Sequence, residues 1–562
     1  MTDKSLGDRL AECGARYFVA QHRADPLNAT LLGVTGFDDQ LGDPSRAGTE
    51  RVTAEMRSIL GEVDTFPTDQ LDAFDRVERD VLRWLVEGSL SDNAHSLWEA
   101  NASAAGYVSP QSLVFQAIPT APLTDARAVE DYLTRLAAVP DYLDAAADRY
   151  RQATEDGRAS TRVGVEQALK QVTGHLHRPI ENDVLLSPRM PPGAQSKKDT
   201  AAELVRDRIR PALGRFADGL TRDLLPHARP DDRVGVCWIP GGEEGYRAAV
   251  RRHTTTELSP EEIHEIGLAA LDDLAAEWTE LGRRTLGTSD VPNILAVLRD
   301  DPALRFDTTE QIVRCVQDAL DRADAARAAW FPPFPITDCV VEEIDPVEAD
   351  NAALAYYRPP SEDGSRPGAH CVLTTEPHRR FTYEYEALAF HESVPGHHLQ
   401  IASAQTLSWL PPHRRYIDAQ LCAYVEGWGL YSERLADDMG LYSSDRARLG
   451  MLSFDALRAC RLVVDTGMHA FGWSRQKAVD FMWEHTATTR ENVENEITRY
   501  IAWPGQALAY MVGRREIVRL RERAQQVLGG TFDHRDFHGV VLGQGAVPLP
   551  VLEDLVSAWI AG

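Results

Sequence analysis

The chain has 562 residues, 43% of them hydrophobic and 26% charged, with a formal net charge of −27. That length supports a large core and more than one domain, and the composition is that of an ordinary globular protein. The acidic balance argues against a nucleic-acid partner, which needs a basic stripe.

Seven cysteines are scattered without a C-x-x-C pair, at 13, 237, 315, 339, 371, 422 and 460. A disulfide framework or a thiolate zinc site is not expected from them, and a reducing compartment is the default. The first residues, Met1 to Asp8, are polar and run straight into a helical pattern, unlike a secretory signal. No apolar run approaches the length of a membrane span. A cytoplasmic chain with no membrane partner is the expectation.

In chain order, residues 5–30 are amphipathic and helical, and Gly33 to Asp39 reads as a loop. From about 50 to 225 one helix follows another. Val77, Val81, Leu82 and Leu85 repeat at helical spacing, as do Tyr132, Leu133 and Leu136, then Leu213, Phe216 and Leu220. Loops are expected at 103–125 and 186–198. Composition shifts around 226–245, where Val234 to Gly242 resembles a crossing segment. It divides the chain into an N-terminal helical half, 1–225, and a C-terminal half, 226–562. Ser259-Pro260-Glu261-Glu262 carries a capping-box pattern and predicts a helix to about Leu281. The proline-rich stretch 332–375 holds two β-favouring pieces, Thr337–Glu343 and His370–Thr374, which predict a small sheet.

The chemistry concentrates in His391-Glu392-Ser393-Val394-Pro395-Gly396-His397-His398-Leu399-Gln400. A helix is predicted before it, with Thr382 as N-cap. A His-Glu pair on a helix is the first half of the zinc hydrolase motif H-E-x-x-H. The second half departs from that motif, because the position four after His391 is Pro395. Proline removes a backbone donor and clashes with the preceding turn, so the helix bulges or breaks here. His397 then lies six residues on and His398 seven. A Pro-Gly bulge brings either one back to His391; His397 needs the smaller insertion and is preferred.

Two histidines require a third protein ligand if the metal is to keep an open position. Glu426, in Tyr424-Val425-Glu426-Gly427-Trp428, lies 35 residues past His391, which leaves room for a turn and an antiparallel helix. Glu433, two turns further on the same face, is the second choice. An oxyanion needs donors and a substrate needs its ends held. His469, Tyr500 and Tyr510 are candidates for the first task, and Arg499 and Gln506 for the second.

Taken together, several motifs resemble the bacterial family known as domain of unknown function 885. They are His391-Glu392-x-x-Pro395-Gly396-His397-His398-x-Gln400, Glu426-Gly427-Trp428, Asp465-Thr466-Gly467-x-His469, and Arg499-Tyr500 followed by Pro504-Gly505-Gln506-Ala507. Gly36-Phe37-Asp38 is a weaker early match. The resemblance implies a mostly α, neurolysin-like or carboxypeptidase-Taq-like helical metallopeptidase fold, with a small β-sheet beside the metal helix and a deep channel. It also implies His391 and Glu426 as zinc ligands and Glu392 as base. Many relatives resemble exported lipoproteins, a signal this N-terminus lacks.

The expected function is zinc-dependent hydrolysis of amide or peptide bonds in small or extended substrates, with Glu392 as general base. The alternative keeps the site and changes the chemistry, to another cleavage or rearrangement in small-molecule biosynthesis. Imidazole and carboxylate also suit Mn, Fe, Co or Ni.

Overall fold

Helical periodicity dominates the sequence, and the computed structural model is accordingly mostly helical, with one three-stranded sheet. It describes residues 4–105, 107–344, 353–360, 366–416 and 419–562. Pro346, in the proline-rich stretch, lies outside them.

The chain packs as two compact units. The first comprises residues 1–249 together with 468–476 and 496–504. The second comprises 250–467, 477–495 and 505–562. The short segments 468–476 and 496–504 contain His469 and Tyr500, which therefore belong to the first unit although they are distant in sequence from the rest of it.

The first unit is a stack of capped helices. Ser5 and Asp8 form a reciprocal capping box at the start of Leu6–Ala24. Asp72, Asp125 and Thr161 cap the helices Ala73–His95, Ala126–Glu155 and Arg162–His177 through side-chain oxygens. The repeats Tyr132, Leu136, Leu213, Phe216 and Leu220 all point into one apolar core. The stretch expected as a loop at 103–125 contains a helix, Pro110–Ala117, begun by Pro110 at its first position. The Gly36-Phe37-Asp38 loop is held by the buried Arg135, whose guanidinium donates to the Phe37 carbonyl and the Thr30 hydroxyl.

In the second unit Ser259 and Glu262 complete the expected capping box, and the helix runs from Pro260 to Thr285. The sheet contains β1 (Cys339–Glu343), β2 (Ala355–Arg358) and β3 (Gly368–Val372). β1 and β3 are the two anticipated pieces; β2 carried too short a pattern to be read. The order is β1-β3-β2, with β1 parallel and β2 antiparallel to the central, fully buried β3. Among the described residues no helix is long and apolar enough to cross a membrane.

Candidate metal centre

The helix Tyr385–Glu392 ends at the residue after His391, and a new helix begins at His397 and runs to Thr406. Glu384, not Thr382, occupies the N-cap position, and the Thr382 hydroxyl instead donates to the Leu304 carbonyl. The chain breaks at Ser393-Val394-Pro395-Gly396 rather than bulging within one helix. Gly396 is needed for space: a Cβ there would lie 1.8 Å from the His391 carbonyl oxygen.

The break turns His397 back towards His391. Their rings stand nearly perpendicular, with centroids 4.8 Å apart. A second helix, Cys422–Asp438, brings Glu426 against both. Glu426 Oε2 is 3.6 Å from His391 Nε2 and 3.4 Å from His397 Nε2. All three donor atoms lie within 4.8 Å of one another. Ligand atoms bonded at about 2.1 Å to one tetrahedral ion stand roughly 3.4 Å apart, so the two His–Glu separations match a shared zinc ion. Two imidazoles and one carboxylate also leave a fourth position open, as a catalytic zinc requires.

The same second helix supports the break. Trp428 Nε1 donates to the Pro395 carbonyl at 2.9 Å, and the Ser432 hydroxyl donates to it at 3.2 Å. Gly429 clears room for the two rings: a Cβ there would lie 2.7 Å from His391 Cε1 and 3.0 Å from His397 Cε1.

Glu433 is neither a ligand in this arrangement nor an exposed helix charge. It is fully buried, and its Oε1 accepts from His391 Nδ1 at 2.8 Å. That bond commits Nδ1 and leaves Nε2 facing Glu426 and His397. Arg458 Nη2 approaches the same Glu433 oxygen at 3.4 Å. Gln400 does a similar task for His397, whose Nδ1 lies 3.4 Å from its amide oxygen. Its seven-residue offset from Glu426 signals Glu433, whereas nothing local signals Arg458.

Charge follows geometry. Burial disfavours the His391 imidazolium, but the Glu426 and Glu433 carboxylates outweigh it and raise the group to about 9. Burial likewise opposes the Glu426 carboxylate, and its two histidine partners more than reverse this, holding it well below the usual range. Glu392 is raised, mainly by burial, against the pull of His391 and His397. The Tyr357 backbone on β2, a strand that packs against the helix Tyr385–Glu392, pulls the same way as the histidines.

The other sequence candidates are placed differently. His398 is outside the three-donor group: its Nε2 is 2.8 Å from the Thr337 carbonyl and its Nδ1 3.0 Å from the Tyr357 hydroxyl. Burial, above all, lowers it to about 4. His469 is fully buried with both ring nitrogens committed, Nδ1 accepting from the Val236 N–H and Nε2 donating to the Tyr500 carbonyl. No N–H remains to stabilise an oxyanion, so that role is withdrawn. The Tyr500 hydroxyl donates to Glu496, which also pairs with Arg499 at 3.1 Å. Tyr510 packs its ring under the Arg461 guanidinium, 4.4 Å from the centroid. Gln506 donates to Cys422 Sγ at 3.4 Å. Asp465 receives the Gly505 N–H at 3.1 Å, which joins two of the motifs to each other rather than to the three-donor group.

The model of a family described as "Bacterial protein of unknown function (DUF885)" matches residues 26–556. The chain belongs to this family. Two solved structures are similar to it across essentially their full length. One is a Colwellia psychrerythraea protein described as "the putative lipoprotein", with a TM-score of 0.90, 26% identity and 99% of both chains covered. The other is a Shewanella oneidensis protein described as "a putative lipoprotein of unknown function", with a TM-score of 0.75 and 18% identity over 98% of this chain and 99% of that one. At 18% identity the second likeness speaks to fold alone. No curated protein matches this chain.

Proposed function

We propose that this protein is a zinc-dependent hydrolase of amide or peptide bonds in small or extended substrates, with a helical fold of the neurolysin-like metallopeptidase class. The observation that carries the reading is the convergence of His391 Nε2, His397 Nε2 and a Glu426 oxygen within 4.8 Å, with Glu392 one residue from the first ligand. When bound, zinc supplies a Lewis acid that polarises a carbonyl and eases deprotonation of water.

The remaining steps belong to the protein's own side chains. Glu392 lies beside the donor group and is absent from it, so its carboxylate is available to take a proton from the attacking water and pass it to the leaving amine. The Tyr357 backbone, on the strand packed against the helix Tyr385–Glu392, favours the ionised carboxylate. Glu433 and Gln400 orient the two ligand imidazoles.

The test is elemental analysis of the purified protein followed by incubation with a fluorogenic peptide library, with and without a chelator. About one zinc per chain and chelator-sensitive cleavage are expected. Absence of bound transition metal, or cleavage indifferent to its removal, overturns the reading.

A further inference from the structure

His397 and His398 are adjacent, and adjacent helix residues diverge by about 100°. His397 takes the side facing His391 and Glu426. His398 faces the sheet, and its two nitrogens reach the flanks of both outer strands. Nε2 donates to the carbonyl of Thr337, two residues before β1, and Nδ1 accepts from the hydroxyl of Tyr357 on β2. The two rings also meet edge-on, with centroids 5.5 Å apart.

The register of β2 gives that contact a consequence. The Leu373 N–H donates to the Leu354 carbonyl, and β2 runs antiparallel to β3 with Tyr357 opposite His370. Ladder bonds alternate along an antiparallel pair, so Tyr356 and Arg358 point their backbone groups at β3 while Tyr357 points its own outward. β2 packs against the helix Tyr385–Glu392, and the Tyr357 backbone is among the groups that favour the ionised Glu392 carboxylate. One tyrosine therefore has its hydroxyl fixed by His398 and its amide turned outward from β3, on a strand packed against the helix that ends in Glu392.

We infer that His398 is a positioning residue for Glu392: it anchors Tyr357 so that the β2 edge presents an N–H to the carboxylate beside the three-donor group. The inference rests on the reading of Glu392 as general base. It assigns the second histidine of the pair to the base and the first to the metal.

The experiment compares three variants of the full-length, zinc-loaded protein. His398→Leu removes both hydrogen bonds, His398→Gln keeps a donor and an acceptor, and Tyr357→Phe removes only the hydroxyl. Bound zinc, amide hydrogen exchange in a peptide spanning 353–360, and turnover of a fluorogenic peptide cleaved by the wild type are measured. Leu and Phe variants are expected to keep wild-type zinc and to exchange the Tyr357 amide about five- to tenfold faster. Their kcat falls about tenfold with KM unchanged, as for a slightly misplaced catalytic group. Gln restores both properties.

Loss of zinc in His398→Leu while Tyr357→Phe behaves as wild type overturns the assignment, because His398 then serves the metal. Unchanged amide exchange in Tyr357→Phe overturns it also, even if His398→Leu fails to fold. Exchange reports the link without any assay of hydrolysis. Full turnover in Glu392→Gln defeats the base reading instead, and leaves the exchange result to judge the His398–Tyr357 anchor.

Discussion

Two buried histidines end two helices of this protein, and their surroundings make them opposites. His391 is in the last turn of Tyr385–Glu392, and His469 is the last residue of Asp445–His469. Burial disfavours the charged ring in both. At His391 two carboxylates reverse that and raise it to about 9; at His469 nothing does, and it falls to about 4. His469 gives both nitrogens to backbone groups, from Val236 and Tyr500, and serves as a neutral cross-brace. His391 gives one nitrogen to Glu433 and aims the other at Glu426. A buried histidine at a helix end is thus a ligand candidate only when a nitrogen is left for something other than the backbone.

The sharpest way to break this comparison is to delete a donor at each site. His391→Ala or Glu426→Ala is expected to drop bound metal from about one ion per chain to near zero, since two remaining ligands hold zinc poorly. Emission spectroscopy reads this directly, and wild-type metal content in either variant removes that residue as a ligand. His469→Asn is expected to leave metal content intact.

Next in size is Glu392→Gln, which keeps shape and removes basicity. Metal retention with turnover lower by at least ~10²-fold is expected, a typical general-base contribution. A loss of metal along with activity would mean that Glu392 coordinates the ion.

Glu433→Gln weakens the carboxylate behind His391 without touching the donor set. Metal affinity, measured by chelator competition, is expected to fall about 10- to 100-fold, the usual cost of losing such a partner. An unchanged affinity would reduce Glu433 to packing.

At His469 the effect is on stability. His469→Leu removes the acceptor of the Val236 N–H and the donor to the Tyr500 carbonyl, a loss of about 1–3 kcal/mol for buried groups. Denaturant unfolding at fixed metal content measures it, and a variant as stable as wild type would remove the bracing role.

A pH-dependent effect is expected at Glu384, a carboxyl buried at the start of the His391 helix. Burial raises it from 4.5 to about 8, outweighing Arg305, Arg458 and Arg380. The folded state therefore binds its proton more tightly than the unfolded chain. The stability this contributes is fully present below pH 4.5 and is lost as pH rises to about 8. Glu384→Gln should gain on wild type across that window and run parallel to it above. A constant offset in unfolding free energy from pH 5 to 8 would show that Glu384 is ionised throughout.

The three residues that converge in the fold were legible in the sequence as candidates because their pattern depends on local chemistry. A His-Glu pair ending a helix, a Pro-Gly break and a glutamate on a later helix are all short-range signals. The capping box at Ser259 and the helical repeats from Val77 to Leu220 were equally local. So was the preference for His397, which followed from the size of the insertion needed to return to His391.

The roles of the neighbours were decided by tertiary structure. Glu433 looked like a second ligand or a surface charge, and only the packing of Cys422–Asp438 against the histidine helix turns it onto His391 Nδ1. His469 carried the same residue-level promise as His391 until the backbone of Val236 and Tyr500 occupied both its nitrogens. β2 has four residues, too few for a period to show, yet its register turns the Tyr357 backbone groups away from β3. A sequence names which side chains can bind a metal or carry a proton. Which atom of each remains uncommitted depends on groups tens to hundreds of residues away, and those meet only in the folded chain.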